Sequence, residues 1–156
     1  RRVAFARGLI ADPELIILDE PTTGLDPHTR FMLWQRLVDL KKQNKTILLT
    51  THYMDEAQRL CDHIILLDHG KILDEGTPKD LIAKHVEPQV VEVPKPIPEA
   101  LCQADFVCED IGESILVYAQ NIQDVLQHLE EHMPYFNRPS NLEDVFLRVT
   151  GRKLRE

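Results

Sequence analysis

Two adjacent carboxylates, Asp19 and Glu20, close the apolar run Leu15-Ile16-Ile17-Leu18. An imidazole, His52, follows a second run, Thr46-Ile47-Leu48-Leu49-Thr50. A carboxylate at the end of a buried strand is a hard oxygen ligand suited to Mg²⁺, which keeps much of its hydration, so Asp19 would hold the ion through water. A second carboxylate beside it would be placed to take a proton from, or to orient, a water attacking a γ-phosphate; that would be the role of Glu20. An imidazole brought to the same edge could reach that phosphate and sense its presence, which would be the role of His52. Taken singly, each has a plainer account: an exposed acid pair at a strand end, and a surface or hydrogen-bonded histidine.

The chemistry requires elements that deliver these groups to one place. Leu15–Leu18 has the length and continuous apolarity of a parallel strand buried on both faces. A polar turn, Thr22-Thr23-Gly24, follows Pro21, and Asp26-Pro27 starts a helix with a capping side chain and a proline at the first helical position. Leu33, Trp34, Leu37, Val38 and Leu40 form its apolar stripe. Thr46–Thr50 is a second buried strand. Met54, Ala57, Leu60 and Cys61 mark a short helix, and Ile64–Leu67 a third strand that turns at Asp68-His69-Gly70-Lys71 into Ile72-Leu73. Thr77-Pro78-Lys79-Asp80 caps another helix ending near His85. Strand, helix, strand, helix, strand is the order of a doubly wound parallel sheet, in which ligands gather at the carboxyl ends of the strands.

A boundary follows at Pro88, Pro94, Pro96 and Pro98, which divides the chain into residues 1–85 and a small α+β appendage, 86–156. In the appendage, strands are expected at Phe106–Ile111 and Ile115–Tyr118, around Gly112-Glu113. An amphipathic helix is expected over Ile122–His132, carrying His128 and His132 one turn apart. A last helix, capped by Ser140-Asn141-Leu142-Glu143, buries Leu142, Val145, Phe146 and Val149 and stops at Gly151.

The 156 residues hold 18 Lys+Arg and 26 Asp+Glu, a formal charge of −8. The appendage carries most of it, with 13 acids against 6 bases. A surface of that sign repels phosphate backbones, which disfavours nucleic acid as its partner. With 43% hydrophobic and 28% charged residues, the composition is that of a globular domain, and no apolar run reaches the length of a membrane span. Cys61, Cys102 and Cys108 have no metal-ligand spacing and read as reduced, partly buried thiols. The chain opens on a helical run, Arg1 to Ala11, with no capping residue or start methionine, which reads as a break in a longer protein.

Leu15-Ile-Ile-Leu-Asp-Glu-Pro-Thr-Thr-Gly-Leu-Asp-Pro27, with Thr51-His52 downstream, resembles the ATP-binding subunits of ABC transporters. The resemblance makes the acid pair a Walker B motif with its following glutamate, matches Gly24, Leu25 and Asp26 to the D-loop, and matches His52 to the switch histidine. Arg1 to Ala11 is similar to the helix after the family's signature motif. Thr50-Thr-His-Tyr-Met-Asp-Glu-Ala57 looks like the exporter branch with separate membrane subunits. Asn141-Leu-Glu-Asp-Val-Phe-Leu-Arg148 and Thr150-Gly-Arg152 are similar to nodulation-factor export and drug-resistance type ATPases. The resemblance implies a partial P-loop NTPase sheet, ATP and Mg²⁺ as ligands, and D-loop contacts across a head-to-tail dimer. It also implies integral membrane permease partners at the cytoplasmic face of the membrane.

None of the six glycines begins Gly-x-x-x-x-Gly-Lys-Ser/Thr, and no Leu-Ser-Gly-Gly signature is present. Backbone amides and a lysine supply most phosphate binding in such proteins, so the 156 residues alone are expected neither to bind nor to hydrolyse ATP, and to aggregate or pair through an open sheet edge. Two other readings are open: an ABC-type ATPase of DNA repair or chromosome maintenance, and a non-enzymatic module binding a partner or effector through residues 86–156.

Overall fold

A computed structural model describes residues 2–151. Arg1 and Arg152, the outer members of two of the motifs above, lie outside the described residues. The chain forms two compact units, the first running to Cys61 and the second starting at Asp62.

The first unit holds α1 (Arg2–Leu9), β1 (Leu15–Asp19), α2 (Pro27–Lys42), β2 (Thr46–Thr50) and α3 (Met54–Leu60). The parallel pair β1–β2 aligns Leu15 with Thr46 and Asp19 with Thr50. Because side chains alternate along a strand, Ile16, Leu18, Ile47 and Leu49 point one way, into a core with Trp34, Leu37, Leu40 and Leu60. Leu15, Ile17 and Leu48 point the other way and are 54%, 67% and 57% exposed. The expectation of strands buried on both faces is therefore corrected: among the described residues, one face is covered and the other is not. Helix α2 starts as its sequence dictates, with Asp26 accepting from the Thr29 amide at 3.0 Å and Pro27 at the first helical position.

In the second unit the third strand departs from the expected order. β3 (Ile64–Asp68) pairs antiparallel with β4 (Lys71–Gly76) in a sheet of its own, not with β1–β2. His69 and Gly70 both have positive φ, 47° and 73°, the requirement of a tight hairpin turn whose twist matches its strands, which pairs one edge of β3 with β4. Helix α4 (Pro78–His85) then starts at Thr77, whose hydroxyl accepts from the Asp80 amide at 3.1 Å.

The appendage is a four-stranded antiparallel sheet in the order β6-β7-β5-β8. Its strands are β5 (Gln89–Pro94), β6 (Val107–Asp110), β7 (Ser114–Ala119) and β8 (Phe136–Pro139), with helices α5 (Glu99–Gln103), α6 (Ile122–Leu126) and α7 (Leu142–Thr150). The proline-rich stretch expected at the boundary contains the inner strand β5. Pro88 precedes it and Pro94 ends it, the positions a strand tolerates, while Val90, Val91 and Val93 between them are fully buried. Helix α6 stops at Leu126, so His128 and His132 do not share a helix face; His128 instead meets the edge of Phe106. Cys102 and Cys108 are exposed, contrary to expectation, because Leu101 is the α5 residue turned into the core and β6 is an edge strand.

The last helix is capped one residue later than the sequence suggests. Asn141 is the N-cap and Asp144 completes the capping box, while the Ser140 hydroxyl donates to the Glu87 carbonyl at 2.6 Å. Asp144 is fully buried and accepts from both Arg138 guanidinium nitrogens, at 2.6 and 2.8 Å, from the Asn141 amide at 2.8 Å, and from the Tyr118 hydroxyl at 3.2 Å. Burial, with Asp144 and Glu109 nearby, pushes the Tyr118 hydroxyl far above its ordinary pKa, so it stays a donor. Removing one partner of a buried pair strands the other. Asp144→Ala should therefore cost about 3–5 kcal/mol in urea denaturation. A loss below about 1 kcal/mol, the scale of an exposed pair, would refute this account of α7 docking.

Candidate nucleotide site at the ends of the parallel strands

The register of β1 and β2 places Asp19 beside Thr50, on the uncovered face at the carboxyl end of both strands. The Thr50 hydroxyl donates to Asp19 Oδ1, which fixes one carboxylate oxygen and leaves the group exposed. After Asp19 the chain leaves the strand direction sharply. Glu20 adopts φ +42°, a left-handed conformation uncommon for a side chain without special local support. The support is visible: the Glu20 amide donates to the Thr50 carbonyl at 3.0 Å and lies 3.2 Å from Thr50 Oγ1.

That turn carries the Glu20 carboxylate to His52. The imidazole Nδ1 lies 3.1 Å from Glu20 Oε1, and the Thr23 hydroxyl donates to Glu20 Oε2 at 3.2 Å. Both carboxylate oxygens are thus held. With Nδ1–H donating to Glu20, Nε2 is the ring nitrogen turned to other partners. Both side chains keep about half their surface open, 47% for Glu20 and 54% for His52, so a ligand has access. The sequence reading needs the acid pair and the imidazole on one rim, and they share one.

Gly24, Leu25 and Asp26 do something different locally. Gly24 has φ +75°, which a residue with a Cβ adopts only under strain, and the Leu25 amide donates to the Thr22 carbonyl at 3.1 Å. The Asp26 carboxylate is engaged by Thr29, whose hydroxyl and amide hold its pKa below the usual carboxylate range. Here the three residues shape the turn into α2 and cap that helix, without touching the acid pair.

Four contributors were missed by the sequence reading. Thr50 and Thr23 hold Asp19 and Glu20, and a threonine after an apolar strand gives no warning of that. Tyr53 stacks on His52 with ring centroids 4.1 Å apart, and the Arg30 guanidinium sits 4.5 Å from the Tyr53 centroid. Beneath them, fully buried Glu56 accepts from the Trp34 indole N–H at 2.8 Å, tying α3 to α2. Asp19, Glu20 and Thr50 offer the hard oxygens that Mg²⁺ prefers, which makes the edge chemically compatible with that ion. Among the described residues there is no cluster of three or more His, Cys, Asp or Glu able to hold a metal, and no helix long and apolar enough to cross a membrane.

An apolar parallel pair thus delivers two carboxylates and an imidazole to one edge. Comparison with known proteins finds the following likenesses. Residues 99–151 match the family described as nodulation factor export protein NodI, C-terminal domain. Over its full length the chain is 44% identical to the Nod factor export ATP-binding protein I of Cupriavidus metallidurans, and 45% identical to that of Rhizobium meliloti. It covers 54% and 48% of those proteins, so it spans about half the length of the curated relatives it matches. A solved structure of CbiO1 from Clostridium perfringens, described as part of the ABC transporter complex CbiONQ, aligns at 37% identity. The alignment has a TM-score of 0.48 and covers 53% of this chain and 34% of that one. The chain is therefore similar over its full length to the ATP-binding proteins of Nod factor export.

The Trp34–Glu56 bond is the strut under the His52 segment. Among the described residues Glu56 Oε2 has no hydrogen-bond partner, so Trp34→Phe leaves both oxygens of a buried carboxyl group unsatisfied. The expected loss is about 1–3 kcal/mol, more for a charged carboxylate, read as a fall in the urea midpoint. A change within about 0.5 kcal/mol, as for a surface substitution, would contradict the strut.

Proposed function

We propose that this chain is the Walker B, D-loop and switch-histidine portion of an ABC exporter ATPase, coupling ATP hydrolysis to export across a membrane. The observation that carries the proposal is the Glu20–His52 contact at 3.1 Å beside Asp19, at the ends of neighbouring parallel strands. In this reading Asp19, one of whose oxygens is braced by the Thr50 hydroxyl, would hold Mg²⁺ through water. The ion would supply charge neutralisation of the phosphates. Glu20, gripped at Oε1 by His52 and at Oε2 by Thr23, orients the attacking water or takes its proton. His52 would hold the γ-phosphate and the glutamate together as the imidazolium, in which Nε2–H donates to the phosphate and Nδ1–H to Glu20. Gly24, Leu25 and Asp26 shape the turn that meets a second ATPase subunit in a head-to-tail dimer.

The functional division lies at residue 85, with residues 86–156 as an accessory domain. The partners are the second ATPase subunit and separate permease subunits, at the cytoplasmic face of the membrane. The acidic appendage disfavours the reading as an ATPase of DNA repair.

In the intact protein, Glu20→Gln keeps the shape and loses the basicity. Turnover should fall about 10²–10⁴-fold with ATP affinity retained. Unchanged turnover would remove Glu20 from its role. The isolated 156 residues, lacking the amide cradle and lysine that supply most phosphate binding, should give no ATP-binding signal in calorimetry. Clear binding there would show that phosphate recognition does not need that cradle.

A further inference from the structure

His52 is more than half exposed, yet its ring has a defined plane. The torsion that turns an imidazole is broad and roughly two-fold, so an exposed ring is set by whatever packs on it. One neighbour is the Glu20 carboxylate at Nδ1. The other is the Tyr53 ring, 4.1 Å away between centroids and inclined by 41°. Tyr53 in turn lies under the Arg30 guanidinium, at 4.5 Å. Among the described residues Arg30 Nε is buried without a hydrogen-bond partner, and the guanidinium has the Tyr53 ring as an aromatic contact. Arg30 belongs to the first turn of α2, where its amide donates to the Asp26 carbonyl at 2.9 Å.

A second observation concerns residue type. Tyr53 is the N-cap of α3, a position that favours Ser, Thr, Asp or Asn, and its side chain makes no cap hydrogen bond. The helix start gains nothing from a tyrosine there; the His52 ring gains a wall.

We infer that Tyr53, clamped by Arg30, is a positioning residue for His52, setting the imidazole plane so that Nδ1 meets Glu20 and Nε2 faces the ligand. The inference deepens the proposed function and rests on it. The chain Asp26, Arg30, Tyr53, His52, Glu20 also links the turn assigned to dimer contact with the residue assigned to the water. A shift of the first turn of α2 moves the clamp, and with it the tilt of the imidazole.

The test uses the intact protein with Tyr53→Leu, Tyr53→Phe, Tyr53→Ser, Arg30→Met and His52→Ala. Tyr53→Leu and Arg30→Met should lower kcat about tenfold to a hundredfold, with KM for MgATP nearly unchanged, as expected when a reacting geometry is loosened. Tyr53→Phe keeps the ring and should restore turnover. Tyr53→Ser supplies a capping oxygen, so it should fold well and still lose turnover like the leucine variant, separating positioning from helix stability. Imidazole ¹⁵N spectra of the nucleotide-free protein at about pH 8, above the ordinary histidine range, give a readout independent of turnover. They should show His52 as one tautomer protonated at Nδ1 in the parent, and averaged signals in Tyr53→Leu. If His52→Ala abolishes turnover while Tyr53→Leu, Tyr53→Ser and Arg30→Met match the parent in rate and spectra, the clamp is overturned and the proposed function stands. If His52→Ala itself turns over normally, the two fall together.

Discussion

The parallel register of β1 and β2 is the constraint on which the rest depends. By aligning Asp19 with Thr50 it brings the ends of both strands level, so that Glu20 and His52, each just beyond its strand, meet at 3.1 Å. A slip of one residue would send Asp19 to the covered face and carry Glu20 away from the imidazole. The register is held by the alternation of Ile16, Leu18, Ile47 and Leu49 into a core shared with α2, an apolar requirement that has no chemistry of its own. The site is thus a by-product of core packing at one end of two strands. Its one visible cost is the left-handed backbone at Glu20, offset by two contacts to Thr50.

Much of this was legible in the sequence because the strong signals are local. Two apolar runs of strand length, a capped helix start at Asp26-Pro27 and a hairpin turn at His69-Gly70 each follow from residue type over a few positions, and each appears where expected. The acid pair and His52 were legible because their positions after the strands translate directly into one sheet edge. The failures are non-local. Exposure of Leu15, Ile17 and Leu48 depends on what lies opposite them, which no local pattern encodes. The apolar run of β3 fits a parallel or an antiparallel partner alike, so the sequence pattern left open what the structure shows, a pairing with β4 through the expected hairpin.

In the appendage the inner strand was not expected: four prolines in a short stretch marked a boundary, and Val90, Val91 and Val93 between two of them form a buried strand. Edge strand β8 was missed for a related reason, being four residues with one proline and an exposed phenylalanine. The capping box was displaced by one residue because Ser140 and Asn141 are both good caps, and only the buried Arg138–Asp144 pair selects the second. Thr50, Thr23, Tyr53 and Arg30 were invisible as site residues, since their roles come from tertiary neighbours and not from spacing.

The central claim is that an acid pair and an imidazole on adjacent parallel strands converge on the terminal phosphoryl group of a nucleotide. A crystal structure of the intact protein carrying Glu20→Gln, with ATP and Mg²⁺ bound, tests it most directly. The account predicts His52 Nε2 within about 3 Å of a γ-phosphate oxygen, the residue 20 side chain at similar range from a water in line with the scissile bond, and Asp19 linked to the metal through water. A γ-phosphate seated away from this strand edge, with His52 facing solvent, would contradict it.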